Sequence, residues 1–418
     1  MKLLHTSDWH LGATLYRQSR APDHDQVIAE ITEVARAFGP DLICHTGDLF
    51  DRARPATEDI TRAGHALREL ASIAPVVVVC GNHDSASLLD ALNLYMRISG
   101  GVQRVHFVAK VRAPQDGVLQ FPTRSGHTVR LAALPFQHAH LMTDAFGDPA
   151  SWGTDYLTQV RGIEAALGRA LLTNFNPTTD IAVFAAHLYV GGATHSGSER
   201  GMHIDATYST DLDTVPAVSY AAFGHLHRPQ ALPGRNVVGR YAGSPIALDF
   251  GEIHETKSVV LVEAEPGTPA RVETVPLSAG RRLSKFHGTL EQLEAIASEI
   301  DDDLCVITVE TPTHLPTLTE QVRRMLPRAT LLDVSPARSD LSIDIVTADQ
   351  VEVDAEPSLR EMFAEFLAER GSRAASPQIV LDAFSRILGA IEEDRDPVFD
   401  EEALLTAAAP TDGAEVSA

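Results

Sequence analysis

A layered α/β fold is what this sequence predicts, and three observations predict it. Five apolar, β-prone runs each end in Asp, Asn or His: Leu3-Leu4-His5-Thr6-Ser7-Asp8-Trp9-His10, Leu42-Ile43-Cys44-His45-Thr46-Gly47-Asp48, Val76-Val77-Val78-Val79-Cys80-Gly81-Asn82-His83-Asp84, Val183-Phe184-Ala185-Ala186-His187 and Phe223-Gly224-His225-Leu226-His227. Such continuous apolar runs mark strands buried on both faces. Helical patterns alternate with them as far as about residue 262, the mark of a layered sheet-and-helix architecture. In such sheets ligands gather beyond the carboxyl ends of the strands, so five polar strand ends are expected to meet at one site.

The elements follow in chain order. Ahead of the first run lies Lys2, but Asp8 and His10 arrive too early for an apolar signal segment, so no signal peptide is expected. Between the second and third runs, 57–74 has helical periodicity through Ile60, Ala63, Leu67 and Leu70, and Pro75 closes it. A second amphipathic helix is expected over 156–173, broken by the Asn-Phe-Asn-Pro-Thr-Thr-Asp stretch before the His187 strand. From Thr274 the texture changes. Strand-like runs at 304–310 and 341–347, with helical runs at 290–300 and 318–326, suit a small α+β domain. Beyond Pro357 come two helical segments, 359–369 and 377–393, with apolar stripes Leu359, Met362, Phe363, Phe366, Leu367 and Ile379, Val380, Phe384, Ile387, Leu388, Ile391. The final acidic, Ala/Pro/Thr-rich stretch reads as disordered. The expected division is 1–265, 275–350, 355–395 and 396–418.

At 418 residues the chain exceeds the size at which one core stops growing, so two or three domains are expected. No apolar stretch is long enough to span a membrane. Three cysteines, Cys44, Cys80 and Cys305, form no close pair, and a reducing cytoplasmic compartment is expected. The net charge of −23 opposes a polyanionic ligand. Its distribution weakens that objection, because residues 349–418 hold 17 acidic side chains against five arginines. A partner with a positive surface is expected to compensate.

Carboxylate oxygen, carboxamide oxygen and neutral imidazole nitrogen are the donors that divalent ions take in hydrolytic sites. Asp8 and His10, two residues apart, can project to one side of an extended segment, as can His225 and His227. Gly47 and Gly81 permit the sharp turns before Asp48 and Asn82. The donor count suggests two metals. Two such ions lie about 3.5–4 Å apart and share one bridging carboxylate, a role that suits the middle aspartate, Asp48.

Taken in order, Asp8-x-His10, Gly47-Asp48-x-x-Asp51, Gly81-Asn82-His83-Asp84, His187 and Gly224-His225-x-His227 resemble the motifs of the calcineurin-like metallophosphoesterases. The opening Thr6-Ser7-Asp8-Trp9-His10-Leu11-Gly12 is similar to a nuclease branch of that family. The motifs cover roughly residues 1–260. The resemblance implies a four-layer α/β/β/α sandwich, followed by a small capping domain and C-terminal helices. It implies one metal on Asp8, His10, Asp48 and His227, and another on Asp48, Asn82, His187 and His225. His83 would lie near the leaving oxygen, with Asp84 orienting it. Two divalent ions, Mn²⁺ by resemblance, would support in-line attack of water on phosphorus. The implied activity is DNA cleavage, exonucleolytic at double-strand ends and endonucleolytic on hairpins and single strands, in repair, recombination and replication. The implied partners are DNA, an SbcC-like coiled-coil ATPase docked on the C-terminal helices, and a second copy within a heterotetramer.

Other residues carry plainer readings. His5 and His45 lie within strands and read as satisfied core groups. His138, His140, His195 and His203 read as solvated loop side chains, and Asp51 as a supporting group. Arg17, Arg20, Arg52 and Arg54 are candidates for phosphate contact, set against their ordinary reading as surface arginines. Cys44 and Cys80 read as buried apolar groups. Two other functions stay open: a metallophosphoesterase for nucleotides or phosphoproteins, and a non-catalytic scaffold with a vestigial metal site.

Overall fold

The computed structural model describes residues 1–98, 102–137, 156–196, 199, 209–234, 237–311, 315–338, 363, 366–367 and 377–392. The chain divides into two units, Met1–Ile343 and Asp344–Ala418.

The first unit is built on two six-stranded sheets. In one, β1 (Lys2–Thr6), β4 (Leu42–His45), β5 (Val76–Val79) and β6 (Val105–Val108) run parallel. Beside β1 lies an antiparallel hairpin of β15 (Ser258–Glu263) and β16 (Arg271–Pro276). In the other sheet, β8 (Thr128–Leu134), β9 (Asp180–His187), β12 (Tyr220–Gly224) and β14 (Gly239–Tyr241) are parallel. Antiparallel β7 (Val118–Pro122) and β13 (Gln230–Ala231) close its edges. Two short pairs, β2 (Thr14–Leu15) with β3 (Gln18–Ser19) and β10 (Tyr189–Val190) with β11 (Ser209–Thr210), lie apart from the sheets.

Strand alternation explains the layers. Leu3, Leu42, Cys44, Val77 and Val79 meet Val129, Leu131, Val183, Ala185 and Ala222 between the sheets. The alternate residues Leu4, Ile43, Val76 and Val78 face outward onto α1 (Ala21–Phe38), α2 (Thr57–Ile73) and α3 (Ala86–Ile98). On the far side Ala132, Leu134, Phe184, Ala186 and Phe223 pack on α4 (Tyr156–Leu172) through Val160, Leu167 and Leu171. The result is the four-layer α/β/β/α sandwich. Because both faces of β5 are covered, all four of its valines are fully buried, each contributing about 1.5–3 kcal/mol relative to exposure.

A smaller parallel sheet follows: β17 (Leu283–Gly288), β18 (Leu304–Thr311) and β19 (Thr330–Arg338). The connections are α5 (Leu290–Ile296), started by a Thr289–Gln292 capping box, and α6 (Leu318–Met325). Leu293, Ile307, Val309, Val322 and Leu326 form its core. The third strand comes at 330–338. Its half-polar sequence with Pro336 gives no clean strand signal; among the described strands it stands at the sheet's edge, where such a proline is tolerated. The strand expected at 341–347 and the tail at 396–418 lie outside the described residues, as does 359–369 apart from Phe363, Phe366 and Leu367. The first sheet also runs past the expected boundary at 265. β16 pairs with β15 from Ser258 opposite Pro276 to Glu263 opposite Arg271, so the boundary would cut a hairpin.

In the second unit, α7 (Pro377–Glu392) carries Phe384, whose ring stacks on Phe363 at 4.0 Å between centroids. No helix among the described residues is long and apolar enough to cross a membrane.

Candidate metal centre

Register places the five polar strand ends together. Thr6 lies opposite His45 and His45 opposite Val78, so the chain leaves β1, β4 and β5 at one level. In the second sheet Gly224 lies opposite His187. The segments beyond these strands bring Asp8, His10, Asp48, Asn82, His187, His225 and His227 into one cluster, and all seven are buried. Four of them carry backbone strain, with φ of 51° at Asp8, 48° at His10, 51° at Asp48 and 102° at His225. Gly81 is required by crowding, since a Cβ there would run into the Asp48 carboxylate. Gly47, at φ 109°, faces the His187 ring in the same way.

The donors point at one another. His10 Nε2 lies 3.1 Å from His227 Nε2 and 3.5 Å from Asp48 Oδ2. The same Asp48 oxygen lies 3.4 Å from His187 Nε2. Asn82 Oδ1 is 2.9 Å from both His187 Nε2 and His225 Nδ1. Asp8 accepts the backbone N–H of His225 at 3.1 Å. Candidate metal-holding groups include Asp8 with His10 and His227, and Asp8 with Asp48 and His187, each set of donor atoms lying within 4.8 Å.

The outer ring nitrogens are committed elsewhere. His187 Nδ1 faces the Thr46 carbonyl at 2.7 Å, His227 Nδ1 faces Glu252 Oε1 at 3.2 Å, and His10 Nδ1 faces Asp51 Oδ1 at 3.5 Å. If those nitrogens carry the protons, His10 and His227 turn lone pairs at each other across 3.1 Å, an arrangement that calls for a cation. The donor set of carboxylate, carboxamide and imidazole fits a divalent ion.

Without a cation, protons on the imidazoles balance the carboxylates instead. Burial opposes ionisation of Asp48, but His187, His83 and His10 hold its carboxyl well below the usual range. Burial raises Asp8 against its histidine neighbours. Burial also opposes charge on His10 and His187, yet the surrounding carboxylates outweigh that and lift both imidazoles to about 9. The centre is a buried cluster in which carboxylates and imidazoles compensate one another.

The outer residues differ more from expectation. His83 is half-buried; its Nδ1 donates to the Asp51 carbonyl at 2.8 Å, and its backbone N–H donates to Asp48 Oδ1 at 2.9 Å. The expectation that Asp84 orients His83 is therefore corrected. Asp84 accepts the backbone N–H groups of Gly81 and Phe50 at 2.9 Å and of Leu49 at 3.3 Å. Its carboxylate ties the β4 and β5 loops together. Arg20 is corrected as well: it is fully buried, paired with Asp23 at 2.8 Å and bonded to the Ala247 carbonyl at 2.7 Å. Arg17, Arg52 and Arg54 are all exposed. His5 sits between Tyr220 Oη at 3.0 Å and Thr46 Oγ1 at 2.9 Å, and burial pushes both His5 and His45 down to about 3. Cys44 and Cys80 are buried, as expected of apolar groups. His195 lies in an exposed loop, and His138, His140 and His203 lie outside the described residues.

Sequence reasoning missed Glu252, Lys257 and Glu199, which surround His227. Lys257 Nζ lies 2.6 Å from Glu252 Oε2 and donates to the His227 carbonyl at 3.0 Å; Glu199 accepts the His227 backbone N–H at 3.0 Å. The Asp-Phe-Gly-Glu run at 249–252, following the conspicuous Gly-His-x-His by two dozen residues, was the available signal.

Comparison with known proteins adds two findings. The calcineurin-like phosphoesterase family model matches residues 1–229. The chain is 26% identical over 400 residues to the SbcD component of the SbcCD nuclease of Bacillus subtilis (strain 168), covering 94% of this chain and 99% of that protein. The corresponding protein of Rhodobacter capsulatus is 31% identical over 316 residues, covering 71% of this chain and 75% of its own length. That of Escherichia coli (strain K12) is 29% identical over 306 residues, covering 71% and 73%.

Proposed function

The chain belongs to the calcineurin-like phosphoesterases and, within them, to the SbcD nuclease family, and from that premise we propose that it is a metal-dependent DNA nuclease. It cleaves phosphodiester bonds at double-strand ends, hairpins and single strands, beside an SbcC-like ATPase, in DNA repair and recombination. One observation carries the reading. Five strand ends turn seven buried oxygen and nitrogen donors toward one another, with Asp48 Oδ2 3.5 Å from His10 Nε2 and 3.4 Å from His187 Nε2.

In this reading Asp8, His10, Asp48 and His227 hold one divalent ion, and Asp48, Asn82, His187 and His225 the other, both Mn²⁺. When bound, the ions supply an activated water and neutralise phosphate charge. The protein does the rest. Asp48 lies between the two donor sets and fixes their spacing. The Asp51 carbonyl holds His83 Nδ1, so Nε2 is the atom that delivers a proton to the leaving oxygen. The His10 ring meets His83 edge-on at 4.6 Å between centroids and restricts its tilt.

The same reading assigns the remaining parts. The 275–350 region caps the nuclease domain, with Asp23 gripping Arg281 at 2.8 Å as support. The 355–395 segment docks on the ATPase, whose basic surface compensates the −23 charge on DNA. Two copies associate through α3, where Leu94 and Tyr95 are exposed. Free, buried cysteines suit the reducing cytoplasm.

A cleavage assay on linear and hairpin duplex DNA tests the core of this. It compares Mn²⁺, Mg²⁺ and chelator, with a phosphomonoester in parallel. His83→Gln should retain metal and lose about 10²–10⁴-fold in rate. Monoester hydrolysis without DNA cleavage would replace the nuclease with a small-substrate phosphatase. A wild-type rate in His83→Gln would remove the proton-delivery role.

A further inference from the structure

We infer that Glu252, held by Lys257, is a positioning residue that fixes the tautomer and orientation of His227. The inference rests on His227 being a metal ligand and deepens that reading. Among the inward-facing imidazoles, His187 is steadied by a backbone carbonyl, and His10 by Asp51, whose side chain is partly solvent-exposed. His227 differs from both: its outer nitrogen, Nδ1, faces a fully buried carboxylate, Glu252 Oε1, at 3.2 Å.

The carboxylate is fixed from several directions. A short 3₁₀ turn, Phe250–Glu252, presents it, started by Asp249, which accepts the Gly251 N–H at 2.8 Å. Glu252 Oε2 takes Lys257 Nζ at 2.6 Å, the Leu248 N–H at 3.2 Å and Ser244 Oγ at 3.3 Å. Lys257 in turn donates to the His227 carbonyl at 3.0 Å and pairs with Glu255 at 2.9 Å. Ser244 also donates its N–H to the His227 carbonyl, at 3.1 Å. Ring and backbone of His227 are thus gripped by one buried, charge-compensated unit.

A buried carboxylate without a cation would be costly, and Lys257 meets that need. What remains is a directional acceptor aimed at Nδ1. An Nδ1–H bonded to Glu252 leaves the Nε2 lone pair pointing at His10 Nε2, 3.1 Å away, where a cation would sit. The carboxylate also raises the donor strength of the imidazole it holds. Glu252 acts on the proposed donor set through His227, a ligand of one ion, so its effect should reach that ion and spare the other.

Two measurements test this, neither of them turnover. In metal-free wild type labelled with ¹⁵N-histidine, the His227 resonances should report the Nδ1–H tautomer; an Nε2–H tautomer overturns the proposal. Calorimetric titration with Mn²⁺ should then show two sites in wild type. In Glu252→Gln one site should weaken about 10- to 100-fold and the other hold its affinity. Two unchanged sites overturn the proposal, and so does equal weakening of both, which marks a general structural defect. The double variant Glu252→Gln/Lys257→Met removes the stranded ammonium and should reproduce the one-site loss in a folded protein. Wild type that binds no Mn²⁺ would overturn the metal reading of the whole centre, an outcome distinct from two intact sites in the variant.

Discussion

Glu164 shows how one carboxyl far from the metal centre makes stability depend on pH. It sits on α4, 1% exposed, with one oxygen bonded to the Thr214 hydroxyl and the other without a hydrogen-bond partner among the described residues. Burial, helped by Asp211, pushes it from an ordinary 4.5 up to about 7. A raised carboxyl means the folded state holds the proton that the unfolded chain has released. Stability is therefore full below pH 4.5, falls as pH rises toward 7, and levels off beyond it. The difference corresponds to about 3 kcal/mol at most. Glu164→Gln should match wild type near pH 5 and exceed it near pH 8, as read by chemical unfolding at both values; parallel curves would sink the assignment. Legibility at this scale follows from the same physics. The seven donors stand out because a polar residue straight after a buried strand needs a purpose. Glu252 and Lys257 do not, because ordinary acidic and basic residues in a loop reveal their burial only once the loop has folded over His227. Arg20 is hidden for the same reason: nothing local announces that α1 begins beneath the chain.

The elements that carry the centre are the loops after β4 and β5, and Asp84 joins them. Its carboxylate accepts three backbone N–H groups, from Leu49, Phe50 and Gly81, in the turns holding Asp48 and Asn82. Asp84→Ala strands those donors, and a buried donor left unpaired costs about 1–3 kcal/mol. The variant should lose about 2–4 kcal/mol in urea unfolding, with Asp84→Asn in between because the amide keeps one acceptor oxygen. Unchanged stability with lost turnover would return Asp84 to His83. The strands and the helices α2 and α4 were legible because apolar periodicity is a local signal. α1 was harder, since it opens on buried Asp23 and His24 before Val27 and Ile31 set its stripe. β19 was harder still, its pattern broken by Asp333, Ser335 and Pro336.

Across the whole molecule, charge and apolar surface pull in opposite directions. Each chain carries −23, so two copies repel, while α3 exposes Leu94 at 58% and Tyr95 at 73%. Large apolar side chains this exposed on one helix favour contact with a partner. The repulsion is long-ranged and screened by salt, with a Debye length of about 8 Å at physiological ionic strength. Burial of Leu94 and Tyr95 is short-ranged and far less sensitive to salt. Self-association should therefore tighten as ionic strength rises, the reverse of an interface held by ion pairs. Sedimentation at micromolar concentration should give a dimer of the 45.1 kDa chain, stronger at about 0.5 M salt than at about 0.05 M. Leu94→Glu/Tyr95→Glu adds two negative charges to each face of a contact that symmetry repeats, and should leave a monomer with its metal centre intact. A dimer that survives the double substitution would move the interface away from α3. A dimer that weakens with salt would mean that charge pairing, rather than these two side chains, holds the copies together.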